Sequence, residues 1–160
     1  MKKFTQEEFD KFEIVTDITG KIRQCPSGDY TSITTFERSS FGEGSSFGER
    51  SSFGEGSSFG KGSSFGKGSS FGERSSFGEG SKIEVNHILK HDYIFHINGI
   101  GSRHASTYFF DCEDGIWVRC GCFFASLDDF EIRVKDVHKN NPQYLNEYLG
   151  AIEYVKKIMK

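Results

Sequence analysis

A six-residue unit recurs seven times without a spacer between residues 39 and 80: SSFGEG, SSFGER, SSFGEG, SSFGKG, SSFGKG, SSFGER, SSFGEG. No single unit is long enough to enclose a core. Its one large apolar residue leaves water only if successive units stack. The repeat therefore predicts a solenoid. Phe41, Phe47, Phe53, Phe59, Phe65, Phe71 and Phe77 mark its beat, and Ile83 and Leu89 continue the same step.

One hexad per face makes a triangular coil of three hexads per turn. Phe41 then lies under Phe59 and Phe77, Phe47 under Phe65 and Ile83, and Phe53 under Phe71 and Leu89. Every interior column is apolar. The outward column is an independent check. Glu43 meets Lys61, Lys61 meets Glu79, and Glu49 meets Lys67, each expected as a complementary neighbour on adjacent coils. Glu55 beside Glu73 is the like-charge exception, with Arg50 and Arg74 near enough to soften it. Phe points inward, and the Gly after it stands where a positive φ or a close backbone approach is needed. The charged residue faces water. The first Ser of the next pair faces inward beside the rings, and the second helps to close the turn. A disordered Gly/Ser tract with scattered Phe is the rival reading. The invariant spacing argues against it.

A stack this short needs its open edges covered. Residues 1–35 are expected to cap one end. Thr5 and Glu8 form a capping box that starts a short helix with Phe9 and Phe12 on one side. Pro26-Ser27-Gly28-Asp29 is a turn into the first coil, and Phe36, five residues before Phe41, makes the start irregular. Residues 36–90 are assigned to the solenoid and residues 91–160 to a small α+β module. In that module Tyr93, Phe95 and Ile97 alternate as in a strand. Residues 106–112 and 116–124 flank the hairpin turn Glu113-Asp114-Gly115. Ser126 caps a helix with Leu127, Phe130, Val134 and Val137 on one face. Asn141-Pro142 opens a second helix, with Leu145, Tyr148, Leu149, Ile152, Val155 and Met159 on one face.

The 160 residues carry a net charge of −3 and a pI near 6.0, which does not favour nucleic acid or an anionic membrane as partner. No apolar run reaches the roughly 18 residues of a membrane span, and the acidic N-terminus does not read as a signal peptide. The expected location is cytoplasmic, where Cys25, Cys112, Cys120 and Cys122 are free thiols rather than disulfides.

The segments CPSGDYTSI, the SSFG hexads and the tail SRHASTYFFDCEDGIWVRCGCFF…LDDFE…VHKNN resemble a group of uncharacterised Firmicutes and phage proteins, in which Cys often replaces Ser in the hexad. The hexad also resembles the left-handed β-helix pattern. That resemblance implies the hand of the coil and a fold of about three coils. The first resemblance implies a phage or mobile-element setting and no assigned activity.

Candidate chemistry is confined to the tail, which holds all five His. His87 with His91, and Cys120 with Cys122 beside Cys112, have spacings compatible with zinc, but core cysteines are the simpler reading. No cofactor is expected. Gly99-Ile-Gly101-Ser-Arg103-His104 is a glycine-rich loop with cations, compatible with a phosphate but lacking a full nucleotide-binding spacing. Trp117 and Arg119 lie opposite Cys120 on their strand and are interface types. Tyr144, Tyr148 and Tyr154 could form a dimer seam. Left-handed β-helices are known mostly from acyltransferases that use a His base, yet no His precedes residue 87. The leading expectation is a non-enzymatic protein-binding module that inhibits or adapts a host defence protein, with Trp117, Arg119, Arg103, His104 and the three tyrosines as candidate interface. The alternatives are nucleotide or nucleic-acid binding or mimicry, an acyltransferase-like enzyme, and edge-to-edge filament assembly.

Overall fold

The computed structural model describes residues 1–159. It divides into two compact units, one spanning Met1–Tyr93 and the other beginning at Ile94.

The first unit is a β-solenoid of about three turns. Three parallel sheets make its faces. Ser39–Phe41, Ser58–Phe59 and Ser76–Phe77 stack on one face, Ser46–Phe47, Ser64–Phe65 and Lys82–Ile83 on the second, and Thr35–Phe36, Ser52–Phe53 and Ser70–Phe71 on the third. Ser40 pairs with Ser58 and Ser58 with Ser76, the register of three hexads per turn. Phe41 and Phe59 stack with centroids 5.5 Å apart, Phe47 and Phe65 at 5.0 Å, and Phe53 and Phe71 at 5.5 Å, all within 8° of parallel. Successive rings along the chain meet edge to face at 4.7–5.1 Å, from Phe41–Phe47 to Phe71–Phe77. Each interior ring thus has both favoured aromatic geometries.

The corners explain the other hexad positions. A Cβ on Gly60 or Gly66 would lie 2.5 Å from the backbone nitrogen of Glu43 or Glu49, so the Gly after Phe permits close coil-to-coil approach. The sixth residue carries the positive φ: 66–74° at Gly44, Gly56, Gly62, Gly68 and Gly80. Arg50 and Arg74 occupy the same corner at φ 56° and 59°. The first Ser closes the turn. Its buried hydroxyl donates to the carbonyl of the Gly three residues back, as Ser63 does to Gly60 at 2.7 Å. The second Ser, expected to do this, instead lies on the strand, where Ser58 donates to Ser40 at 3.0 Å. The charge ladder is aligned by backbone rather than by ion pairs. Among the described residues Glu43, Lys61 and Glu79 close no ion pair, whereas Arg74 reaches Glu55 at 3.8 Å.

The stack begins before the repeat. Gly20–Cys25 pairs in parallel with Ser39–Phe41, which places Cys25 at the foot of the Phe41 column. Tyr30 stacks on Phe47 at 5.6 Å and Phe36 on Phe53 at 4.9 Å. Residues 20–36 are therefore a coil of unrepeated sequence, with the Pro26–Asp29 turn as one corner. The helix α1 (Gln6–Asp10), with both capping-box bonds of Thr5 and Glu8, covers its foot through Phe9 against Phe36. Arg23 ties the two together. Its Nη1 donates to the carbonyls of Phe9, Asp10 and Phe12 at 2.8–3.1 Å, and its Nε to Glu37 at 2.7 Å. At the other end Ile83 continues its column, but the chain then reverses. His87–Ile88 runs antiparallel to Lys82–Ile83, and Leu89 beyond it is buried and makes a β-bridge. Glu84 turns its carboxylate to the Gly68 N–H at 3.1 Å, in place of the carbonyl of another coil.

The second unit is an antiparallel sheet, Phe95–Ile100, Ala105–Cys112, Gly115–Cys120 and Phe123–Ser126 in that order, with α2 (Leu127–Val137) and α3 (Pro142–Ile158). The segment expected as one strand over 116–124 is two. Gly121 has φ +62° and Cys120 pairs with Phe123, so Gly121-Cys122 is a tight turn. Ser126 and Asn141 cap the helices, accepting from the N–H groups of Asp129 and Tyr144. Leu127, Phe130, Val134, Tyr148, Ile152 and Val155 meet Phe109 and Val118 of the sheet in one core. Val137, expected in that face, is 56% exposed. No helix among the described residues is long and apolar enough to cross a membrane.

Candidate ligand pocket in the second unit

Loop 101–104, the Gly121-Cys122 turn, α2 and α3 converge on a pocket of about 360 Å³. Its floor is apolar: Phe123, Phe130 and Val134. Two arginines stand on its wall, Arg103 from the loop and Arg133 from α2. No carboxylate lines it, and neither arginine has an acidic partner within 4 Å among the described residues. This is an unopposed positive site on a chain of net charge −3.

The surrounding acids are engaged elsewhere. Glu131 accepts from Lys135 at 2.9 Å and Lys156 at 2.5 Å, and those cations hold its carboxyl below the usual range. Glu147 accepts the Gly101 N–H at 2.6 Å and Gln143 at 3.2 Å, which lowers its pKa, the Gly101 bond first. The Gly101 bond also fixes the loop. A Cβ on Gly101 would fall 2.0 Å from the Tyr148 hydroxyl, and one on Gly121 would fall 2.9 Å from the Arg103 guanidinium carbon. Glycine at both positions lets the loop lie over Tyr148 and Arg103 lie over the turn.

Arg133 lies over the Phe123 ring at 4.5 Å. Tyr148 meets Phe130 edge to face at 5.8 Å and stacks on His138 at 5.3 Å. Its hydroxyl lies 3.6 Å from the Cys120 sulfur. Burial, then that thiol, pushes the Tyr148 pKa up, so the hydroxyl stays protonated at neutral pH. Thr107 donates to the same sulfur at 3.7 Å. Cys120 faces hydroxyls rather than an imidazole.

The candidate residues separate in this structure. Arg103 enters the pocket. His104, at φ +48°, turns to the Gly99 carbonyl at 3.4 Å. The Gly101 N–H, a donor a phosphate loop would use, is donated to Glu147. Cys122 sits in the turn rather than on the strand with Cys120, and among the described residues no group of three His, Cys, Asp or Glu is placed to hold a metal. Trp117 stacks on Phe124 at 5.3 Å and donates to Asp114 at 3.1 Å. Arg119 is buried over the Tyr108 and Phe110 rings. Tyr148 is in the core, 3% exposed, and Tyr144 meets His138, so of the three tyrosines Tyr154 alone is widely exposed, at 52%. Arg133, Phe123 and His138 were not singled out from sequence. Gly121 between two cysteines is a turn signal that would have pointed to this corner.

Comparison with protein-family models, with curated proteins and with solved structures finds no match to the chain.

Proposed function

We propose that this chain is a non-enzymatic binding protein in which the second unit captures a small anion and the solenoid is a separate compact unit. The observation that carries this is the Arg103–Arg133 pocket: two cations without acidic partners beside an apolar floor, in a volume at the small end of ligand sites. Removing one arginine removes one charge-assisted contact, about 1.4 kcal/mol, or tenfold in affinity. The full chain is titrated with pyrophosphate at low salt. Saturable one-site binding that weakens about tenfold in Arg103→Ala and in Arg133→Ala supports the reading. Heat signals that the double variant leaves unchanged would dismiss it.

A protein partner, the leading expectation from the sequence, is favoured by a different feature. The edge strand Ile14–Asp17 is exposed along its whole length, and Ile18 at its tip is fully exposed. An exposed edge strand suits strand addition. Capture from host lysate that Ile18→Glu abolishes supports this second reading, and capture that is indifferent to it counts against it.

A further inference from the structure

We infer that the ligand of the Arg103–Arg133 pocket is a single planar aromatic ring carrying one anionic group, held with its ring on the Phe123–Phe130 floor and its anion between the two guanidinium groups. This rests on the pocket being the binding site, and it adds the ligand's class.

Three observations lead to it. The first is the lining, which divides into two chemistries. An inorganic anion would use only the arginines and leave the apolar floor wet. Phe123 and Phe130 lie 6.3 Å apart at 33°, a tilted pair. Aromatic faces and edges of this kind favour another ring over an aliphatic chain. The second is Arg133, whose guanidinium already lies over the Phe123 ring at 4.5 Å. A guanidinium held on an aromatic face keeps its N–H fork directed sideways, the geometry that takes two oxygens of one phosphate or carboxylate. The third is size. A volume of about 360 Å³ takes one ring and one anionic group. It is too small for the two joined nucleosides of a dinucleotide, since ligand pockets generally run from about 300 to 1,000 Å³. At the back, the protonated Tyr148 hydroxyl beside the Cys120 sulfur supplies a hydrogen-bond handle for a polar ring edge.

Phosphate and carboxylate share the chemistry the arginines recognise, so both are probed. The full chain is titrated calorimetrically with inorganic phosphate, phenyl phosphate, benzoate and phenol at one ionic strength. The expected result is that phenyl phosphate binds at least about tenfold more tightly than inorganic phosphate, a difference of 1.4 kcal/mol. Phenol should bind far more weakly than either ring-bearing anion. Phenyl phosphate ahead of benzoate assigns a phosphate ligand, and the reverse order a carboxylate; both support the inference. Phe123→Leu should reduce the advantage of phenyl phosphate over inorganic phosphate to less than about threefold; because the same ring lies under Arg133, the ratio of the two affinities is the readout rather than either alone. A Phe123→Leu chain with an altered melting curve is replaced by Phe123→Met, which removes the ring while keeping most of the side-chain volume. Equal affinity for phosphate and phenyl phosphate overturns the inference and leaves anion capture standing. An aromatic preference that survives the floor substitution overturns it too. Binding of no anion overturns both.

Discussion

The two units bury aromatic residues in opposite ways. In the solenoid every interior ring repeats the environment of the one three hexads before it, with parallel stacks along the axis and edge contacts between columns. The hydroxyls and glycines around the rings repeat as well. In the second unit no two core residues share an environment: Phe109 lies under helices, Phe130 between Phe109 and Tyr148, and Phe123 under a guanidinium. Repetition gives a core in which each position is held by identical neighbours above and below. It also makes a surface of uniform Ser and charge, and a cleft of about 330 Å³ forms where the unrepeated Thr19 and Arg38 meet Glu55, Gly56 and Arg74 of the hexads, without an aromatic lining residue. Irregular packing leaves a gap of ligand size where a loop, a turn and two helices meet. The difference teaches why a pocket with an aromatic floor arises in the second unit.

Five substitutions or conditions break or sharpen that contrast, in order of decreasing effect. Phe59→Ala removes a ring from the middle column, with stacks on both sides, and should cost about 3–5 kcal/mol by denaturant unfolding. Because neighbouring coils depend on each other, the loss should lower cooperativity across the first unit and leave pocket affinity intact. Gly66→Ala places a methyl group 2.5 Å from the Glu49 nitrogen and should cost about 3 kcal/mol, near the upper range for overpacking. Arg23→Ala takes the guanidinium donor from the Asp10 and Phe12 carbonyls at the end of α1 and should cost about 2 kcal/mol, seen as early proteolysis of residues 1–19. Arg50→Gly relieves a left-handed residue at a corner where five hexads have Gly, and should raise stability by about 1 kcal/mol. The smallest effect is at alkaline pH. Burial pushes the Cys25 thiol up to about 12 from 9.0. Between those values the unfolded chain has lost the proton and the folded chain keeps it, so stability falls as pH rises above 9.0. Melts from pH 8 to 10.5 should show a shallower fall in Cys25→Ala than in the parent chain.

The contrast also decides what could be read from sequence. The hexad specified the three-sided register, the inward Phe and the inward Ser, because each was stated seven times. It did not specify which Ser closes the corner, since both have the same hydroxyl; backbone geometry selects the one three residues after Gly. The first coil over 20–36 was missed because Cys25, Tyr30 and Phe36 fill the columns without the hexad spacing. In the second unit helix periodicity exposed Phe130, Val134 and Tyr148 as core. The pocket stayed hidden because it depends on Gly101 admitting Tyr148 and Gly121 admitting Arg103, contacts between residues far apart in sequence. Arg103 was placed in a phosphate-compatible loop and in the candidate interface, but nothing in the helix pattern around Arg133 signals that the fold brings it to the same pocket.

Hydrogen exchange followed by mass spectrometry, with and without phenyl phosphate, tests the division between a repetitive unit and an irregular binding unit. Amides of Gly60, Gly66 and Gly72, which donate to carbonyls one coil below at 2.9–3.0 Å, should be among the slowest in the chain and indifferent to ligand. Ligand should slow exchange only over residues 101–104 and 120–138. Fast exchange through the hexads, or ligand protection that appears in the solenoid and not around Arg103 and Arg133, would contradict the account.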